Sequence, residues 1–457
     1  MTALPPGWLE TTIGSVAELN PPAPKTIPDD EDVSFVPMAA VEEESGRVDV
    51  SQHVRYGDFR RKSYRSFRDG DLLVAKITPS MENGKAAVTQ GLSAGHGLGS
   101  TEFHVIRPHA TVLARYLLHY VLQRRFRADA ARRMTGTAGQ LRVPIGYLRE
   151  VPVPLPPLPE QQRIVDAIEE QFSRLDAGVA SLRRAQRNLG RMRAAILSAA
   201  VEGRLVEREG GWATVAIGGD ASTSTEVRIA MPDHWSLMTL GALCVNLRYG
   251  TSEKCDYGAR GAPVLRIPNV RRQTIDIRDL KYAVNADADL NSLRVVPGDI
   301  LFVRTNGSPD LIGRVGVVPA SASGYAFASY LIRGRLRPEV MPQYVAIVLD
   351  GPQYRRVLQA SAATSAGQYN LSASTLSRIA IPLPSLAEQE RIVEEVDRQL
   401  SILDAMEATV TAGRARAERL RQSILREAFA GRLVRQCPKD EPGEALLDPI
   451  RAERRMA

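Results

Sequence analysis

The sequence predicts an α+β protein: two mixed α/β globular blocks separated by two long antiparallel coiled-coil helices, arranged as a pseudo-twofold tandem repeat. Three observations carry that expectation. The segment that begins Pro154-Leu155-Pro156-Pro157-Leu158-Pro159-Glu160-Gln161 recurs as Pro382-Leu383-Pro384-Ser385-Leu386-Ala387-Glu388-Gln389, an offset of 228 residues, and over 53 aligned positions 24 are identical. Both copies carry a helical apolar seam. Each follows a block of roughly 150 residues in which β-type alternation prevails.

The blocks match only in outline. Trp8 and Gly14 correspond to Trp235 and Gly241, Gly70-Asp71-Leu72-Leu73 to Gly298-Asp299-Ile300-Leu301, and Gly139-Gln140 to Gly367-Gln368. Strands are expected over 33–38 and 71–77, and a single helix from Leu113 to about Arg133, with its counterpart from about Met341 to Ala360. In the first matched segment Val165, Phe172, Val179 and Gln186 fall seven apart, as do Ile168, Leu175, Leu182, Leu189 and Ile196. The second copy places Val393, Leu400, Glu407 and Arg414 beside Val396, Leu403, Val410, Ala417 and Ile424 at the same positions. Such a seam buries itself against a second helix. Proline-rich words fix where each helix starts, and Gly203 and Gly431 suit their ends. From 160 to 202 a helix spans roughly 65 Å at about 1.5 Å per residue. The expected boundaries are 1–153 for the first block, 154–206 for its helix and 207–230 for a linker. The second block then covers 231–381, its helix 382–434, and a tail 435–457.

Composition narrows the function. The chain has 457 residues, 44% hydrophobic and 24% charged, with a net charge of +7. Of the 59 cationic residues 52 are arginine, which permits phosphate and base-edge contacts, although GC-rich coding produces the same bias. Block 231–380 carries 17 cationic against 11 anionic groups, so a basic surface is expected there. No apolar run approaches the ~20 residues of a membrane span, and a cytoplasmic protein without membrane contact is expected. The cysteines Cys244, Cys255 and Cys437 lack metal or disulfide spacing. There is no phosphate loop, no G-x-S-x-G elbow and no histidine pair at zinc spacing; His104 and His109 are expected at the surface. Asn20-Pro21-Pro22-Ala23 lacks the aromatic residue that would stack on a flipped base, and is assigned to a loop. No catalytic constellation is visible, which favours a binding protein.

Two diverged blocks, each followed by a helix that opens L-P-x-x-x-E-Q-x-R-I-V and closes G-R-L-V, resemble the specificity subunit of a type I restriction–modification system. The first copy has Pro159 and Gln162 where the second has Ala387 and Glu390. The resemblance covers essentially the whole chain. It implies that the blocks are target recognition domains, each reading one half of a split sequence in double-stranded DNA, and that the chain itself is not catalytic. It further implies two methyltransferase (modification) subunits that carry S-adenosylmethionine, and restriction/translocase subunits. No cofactor is expected on this chain. Two alternatives are a fused restriction–methylation enzyme, for which no catalytic half is present, and a coiled-coil scaffold with protein-binding globular domains.

On this reading the DNA-contacting residues are expected in paired loops. Lys76, Thr78, Ser80, Asn83 and Lys85 parallel Arg304, Asn306, Ser308 and Arg314; Thr137, Gln140 and Arg142 parallel Ser365, Gln368, Tyr369 and Asn370. Small polar and cationic groups beside glycine suit close approach to a backbone or base edge. Glu160, Gln161, Arg163 and Ile164, with Glu388, Gln389, Arg391 and Ile392, are retained between copies. A carboxylate at a helix N-terminus is explained by the macrodipole; capping does not require Gln and Arg as well, so these residues are expected to help dock a partner subunit.

Overall fold

A computed structural model describes residues 4–59, 62–137, 139–207, 210–218, 226–365 and 367–448. The chain divides into two compact units, Met1–Leu182 with Ala412–Ala457, and Arg183–Thr411. Two helices of 44 residues each, Leu158–Val201 and Leu386–Phe429, contribute one part to each unit. Both run unbroken through their internal glycines Gly178, Gly190 and Gly413.

The first unit is built on a four-stranded antiparallel sheet in the order Ala17–Leu19, Phe103–Pro108, Leu72–Ala75, Ala86–Val88. A second sheet runs His53–Arg55, Asp32–Val36, His96–Gly99, Arg65–Arg68, and its central pair is parallel. Strand Leu72–Ala75 is buried on both faces, which explains its unbroken apolar run. Beside it Asp71 is buried and accepts a two-pronged bond from Arg107, at 2.8 and 2.7 Å. The second unit repeats this: Asp299 is gripped by Arg335 at 2.8 and 2.8 Å. The five-stranded sheet of that unit runs Cys244–Tyr249, Leu331–Leu336, Ile300–Val303, Val315–Val317, Gln273–Thr274.

Each block is closed by a short antiparallel pair that brings its first residues to its last. Leu9–Thr12 pairs with Pro152–Leu155 in the first unit, and Ser236–Thr239 with Ala380–Leu383 in the second. The long helix then begins. In the first unit Ile164, Val165, Ile168 and Phe172 share one core with Tyr116, Leu117, Ile424, Leu425 and Phe429, so the seam is buried where the helices meet the block. In the first unit the helix segments run antiparallel, Gly413 beside Leu182 and Arg421 beside Asp176; in the second Arg193 meets Asp404 and Glu407. Gly203 and Gly431 end the helices with φ of 67° and 69°, the left-handed cap that glycine adopts without strain.

Three expectations are corrected. The single helix expected from Leu113 is two, Ala114–Val121 and Arg124–Arg132, and its counterpart is Pro342–Asp350 and Pro352–Ala360. In the second pair Pro352 opens a new first turn, because proline cannot continue the preceding one. The stretch 207–230 is no plain linker: Trp212–Gly218 pairs with Val227–Pro232 as an antiparallel hairpin that buries Ile217, Ile229 and Met231. Of the tail, residues 435–448 are folded into the first unit, where Leu446 and Leu447 join the core, Gly443 N donates to Gly7 O at 2.8 Å, and Thr111 Oγ1 donates to Leu446 O at 3.2 Å.

Candidate nucleic-acid interface

Each unit brings its two expected loops together. In the first, Ile77 forms an antiparallel bridge with Arg142, Thr78 N donates to Leu141 O at 3.0 Å, and Val143 N donates to Lys76 O at 2.8 Å. In the second, Thr305 and Asn306 pair with Asn370 and Tyr369, and the strand Gln368–Asn370 pairs in turn with Ala363–Ser365. Ile77 and Arg142 correspond to Thr305 and Asn370 at the same offset of 228 that relates the helices. Two blocks of diverged sequence therefore present the same pair of loops in the same register.

The side chains divide into those that build the loops and those left to face solvent. Lys85 Nζ donates to Met38 O at 3.1 Å, Asn83 Nδ2 to Glu43 Oε1 at 2.8 Å, and Thr78 Oγ1 to Glu82 Oε1 at 2.8 Å. These bonds shape the 76–85 loop. Ser80 N lies in that loop, and Ser80 O accepts from Lys85 N at 3.0 Å. Arg142 forks onto Glu102 at 2.8 to 3.2 Å and reaches Gln140 O at 2.9 Å. Thr137 and Gln140 are exposed. In the second unit Arg304 lies 4.9 Å over the Tyr249 ring and donates to Ser329 O and Leu371 O, at 3.1 and 3.4 Å. Thr305 Oγ1 donates to Asn370 Oδ1 at 2.7 Å, Asn306 Oδ1 accepts from Ser308 N at 2.8 Å, and Gln368 is exposed. Of Ser365 the structure describes only the backbone.

Cations cluster at both surfaces, with Glu102 among them in the first unit and Asp350 and Asp310 in the second. Partial burial lowers the ammonium pKa of Lys76, and the neighbouring Arg65 and Arg142 push it the same way while Glu102 opposes them. Burial likewise lowers Arg314, followed by repulsion from Arg272 and Arg271. Cations held close together at a part-solvated surface suit an incoming polyanion, which relieves their repulsion. Sequence reasoning missed Arg65, Arg271 and Arg272, and the exposed aromatics Tyr249 and Tyr330. Clustered arginine in an arginine-rich chain gives no separate signal; Tyr249 next to Gly250 was the one available hint.

Most of the expected docking residues are buried within the chain. Glu160, Gln161 and Ile164 are buried, as are Glu388, Gln389 and Ile392. Gln161 Oε1 accepts from Leu113 N at 3.0 Å, while its Nε2 donates to Pro156 O at 3.1 Å and Thr111 O at 3.3 Å. Gln389 repeats all three bonds, to Met341 N at 2.8 Å, Pro384 O at 3.1 Å and Glu339 O at 3.5 Å. The retained glutamine thus ties the helix start to its own block. Burial raises the Glu160 carboxyl, and the Trp8 indole and Arg163 hold it down; His234 Nε2 lies 3.3 Å from Glu388. Arg163 pairs with Asp440 at 2.6 Å, and Arg391 is exposed. Six of the eight are buried within this chain, and the two glutamines anchor each helix start to its own block.

His104 is also corrected. It is buried, with Nε2 2.8 Å from Val143 O, and burial pushes its pKa down to about 4. The loop residue Asn20 meets it from the other side, Nδ2 3.3 Å from His104 Nδ1, and accepts from Val105 N at 2.9 Å.

Residues 5–178 match the family described as Type I restriction modification DNA specificity domain. Among similar proteins, the type I restriction enzyme EcoKI specificity subunit of Escherichia coli strain K12 is 28% identical over 77% of this chain and 74% of its own. The EcoEI specificity subunit of Escherichia coli is 25% identical over 89% and 80%. Among solved structures, a chain from work on complex assembly and conformational transition of the type I R-M system superposes with a TM-score of 0.72 at 22% identity, covering 94% of this chain and all of that one. The HsdS subunit from Thermoanaerobacter tengcongensis superposes with a TM-score of 0.50 at 21% identity, covering 94% and 98%. These likenesses are of fold. No helix among the described residues is long and apolar enough to cross a membrane.

Proposed function

We propose, from the premise that this chain belongs with the specificity subunits of type I restriction–modification systems, that it is their sequence-reading, non-catalytic component. It recognises a bipartite target in double-stranded DNA and assembles with methyltransferase and restriction subunits. The observation that carries this reading is the duplicated interface, Ile77 against Arg142 and Thr305 against Asn370. Loops in one register with different side chains suit two readers of different half-sites, since base contacts specify while phosphate contacts position.

Finer points extend the reading. The paired loops supply the base and phosphate contacts. Two modification subunits assemble per chain, as the twofold repeat suggests, and S-adenosylmethionine belongs to them. The protein works in the cytoplasm. The long helices act as a ruler: their length, and no base contact, sets the gap between half-sites at about one turn of duplex, roughly 10 base pairs between centres.

DNA association of the full chain across a salt series tests the reading. A reader that neutralises several phosphates loses orders of magnitude in affinity between ~50 and ~200 mM salt. A protein-binding scaffold shows no such slope, and that result would remove the proposal.

A further inference from the structure

The face beside the helix ends is covered in one unit and open in the other. In the second unit the chain leaves Gly203, and the hairpin of Trp212–Gly218 and Val227–Pro232 lies against the helix Pro352–Ala360 and the strand Ala380–Leu383. The fit is close: a Cβ on Gly218 would stand 2.6 Å from Val357 Cγ1. The offset of 228 carries that helix onto Arg124–Arg132 and that strand onto Pro152–Leu155. There the first unit has an open groove of about 1470 Å³.

Tyr120, Phe126, Tyr147 and Phe429 contribute an aromatic floor to this groove. Arg124, Arg125, Arg416, Arg419, Arg426 and Arg432 line it beside the carboxylates Glu10 and Asp129; Arg124 pairs with Glu418 at 3.3 Å and Arg432 with Glu427 at 2.7 Å, while Arg426 reaches Glu427 only at 4.0 Å, so the excess positive charge rests on Arg125, Arg416, Arg419 and Arg426. At the corresponding places the covered face has Pro352, Gln353, Asn188, Arg191, Ser198 and Arg204. Four of the six arginines therefore belong to the open groove alone. Where the covered face joins Ser198 to Gln353 at 3.2 Å and Gln353 to Glu202 at 2.9 Å, the open one has Arg426, Arg125 and Ala430.

We propose that this groove is the docking site for an acidic, extended segment of a second protein, seated in the first unit as the hairpin is seated in the second. The covered face shows that the site accepts a β-hairpin. The arginines set the charge of the occupant, because a guanidinium beside an aromatic floor pairs well with a carboxylate that is partly withdrawn from water.

The test uses the full chain and a labelled, cyclised peptide with the sequence of 212–232 carrying Arg228→Glu, which makes the probe acidic. Fluorescence anisotropy should show saturable binding that weakens with salt. Arg419→Glu combined with Arg426→Glu should weaken it tenfold or more, while lysine at both positions retains it. Should the charge-reversed chain fail to fold, Arg419→Gln with Arg426→Gln takes its place with the same expected direction. Absence of binding below ~1 mM peptide, or equal affinity for chain and variant, overturns the proposal. So does loss of random-sequence duplex binding in the variant while the peptide stays inert, which would mark the groove as a phosphate track. A half-site footprint on the same samples is expected to persist, so failure here is distinct from failure of the DNA-reading assignment.

Discussion

Arg421 donates to the Asp176 carboxylate across the helix pair of the first unit, and its guanidinium lies 4.1 Å over the Phe172 ring. Within the second unit Arg193 donates to Asp404. Asp176 corresponds to Asp404 and Arg193 to Arg421 at the repeat offset. Both copies thus keep the same aspartate and the same arginine, and each unit joins one of each kind across its own helix segments.

Arg421→Ala should cost about 1 kcal/mol or somewhat more. Arg421 is largely buried but Asp176 is 43% exposed, so the ion pair itself contributes little and most of the loss is the cation–π contact. A double-mutant cycle with Asp176→Ala, read by denaturant unfolding, should give a coupling energy no larger than about 1 kcal/mol; a value several times greater contradicts this division.

Gln161→Ala leaves Leu113 N and two carbonyls without their partner in a buried place, at a cost of roughly 1–3 kcal/mol. Association with modification subunits, followed by native mass spectrometry, should be unchanged in the fraction that folds. A stable variant that no longer binds them would restore the docking role that burial argues against.

Gly431→Ala should lower the melting temperature. Its φ is 69°, and a Cβ would stand 2.1 Å from Pro5 Cγ, so left-handed strain of roughly 1–2 kcal/mol adds to a steric clash. Gly203→Ala should behave alike, with the obstacle at Pro232 Cγ, 2.5 Å away. Tolerance of both changes would contradict the cap geometry.

His104 predicts a loss of stability in acid. Its folded pKa is depressed to about 4 from 6.5, with burial the main cause, so between those values the unfolded chain binds the extra proton and stability falls as pH falls. The loss approaches about 3 kcal/mol near the lower value, at 1.4 kcal/mol per unit. Melting curves from pH 7 to 4 should be flatter in His104→Asn than in the parent; equal slopes would show that other groups carry the acid sensitivity.

Inserting four residues after Leu182 lengthens that helix by about 6 Å, close to two base pairs of rise, and adds nearly a full helical turn. The insertion mutant should keep both half-site sequences and prefer a longer gap. Methylation mapping that returns the original gap would end the ruler hypothesis.

What the sequence made legible was whatever repeats or has a period. Proline words and a seven-residue seam locate the two helices because both follow from local chain geometry. The joining of the loops around Ile77 and Arg142 was legible because a second copy, Thr305 and Asn370, pairs the same positions. Retention between copies was ambiguous at Gln161 and Gln389: it reports a shared constraint without saying whether the partner is the chain's own backbone or another protein. The hairpin that begins at Trp212 and the burial of His104 were hidden because each depends on neighbours distant in sequence, Val357 in one case and Val143 in the other.

The central claim is that two separate units each read half of one target, and it is tested most directly by altering one reader alone. Arg304→Ala with Gln368→Ala changes only the second unit's loops. With modification subunits present, sequencing of methylated positions should show one half-site relaxed or lost, the other half-site unaltered, and the gap between them the same. A motif unchanged in both halves, or one in which both halves change together, would contradict the account.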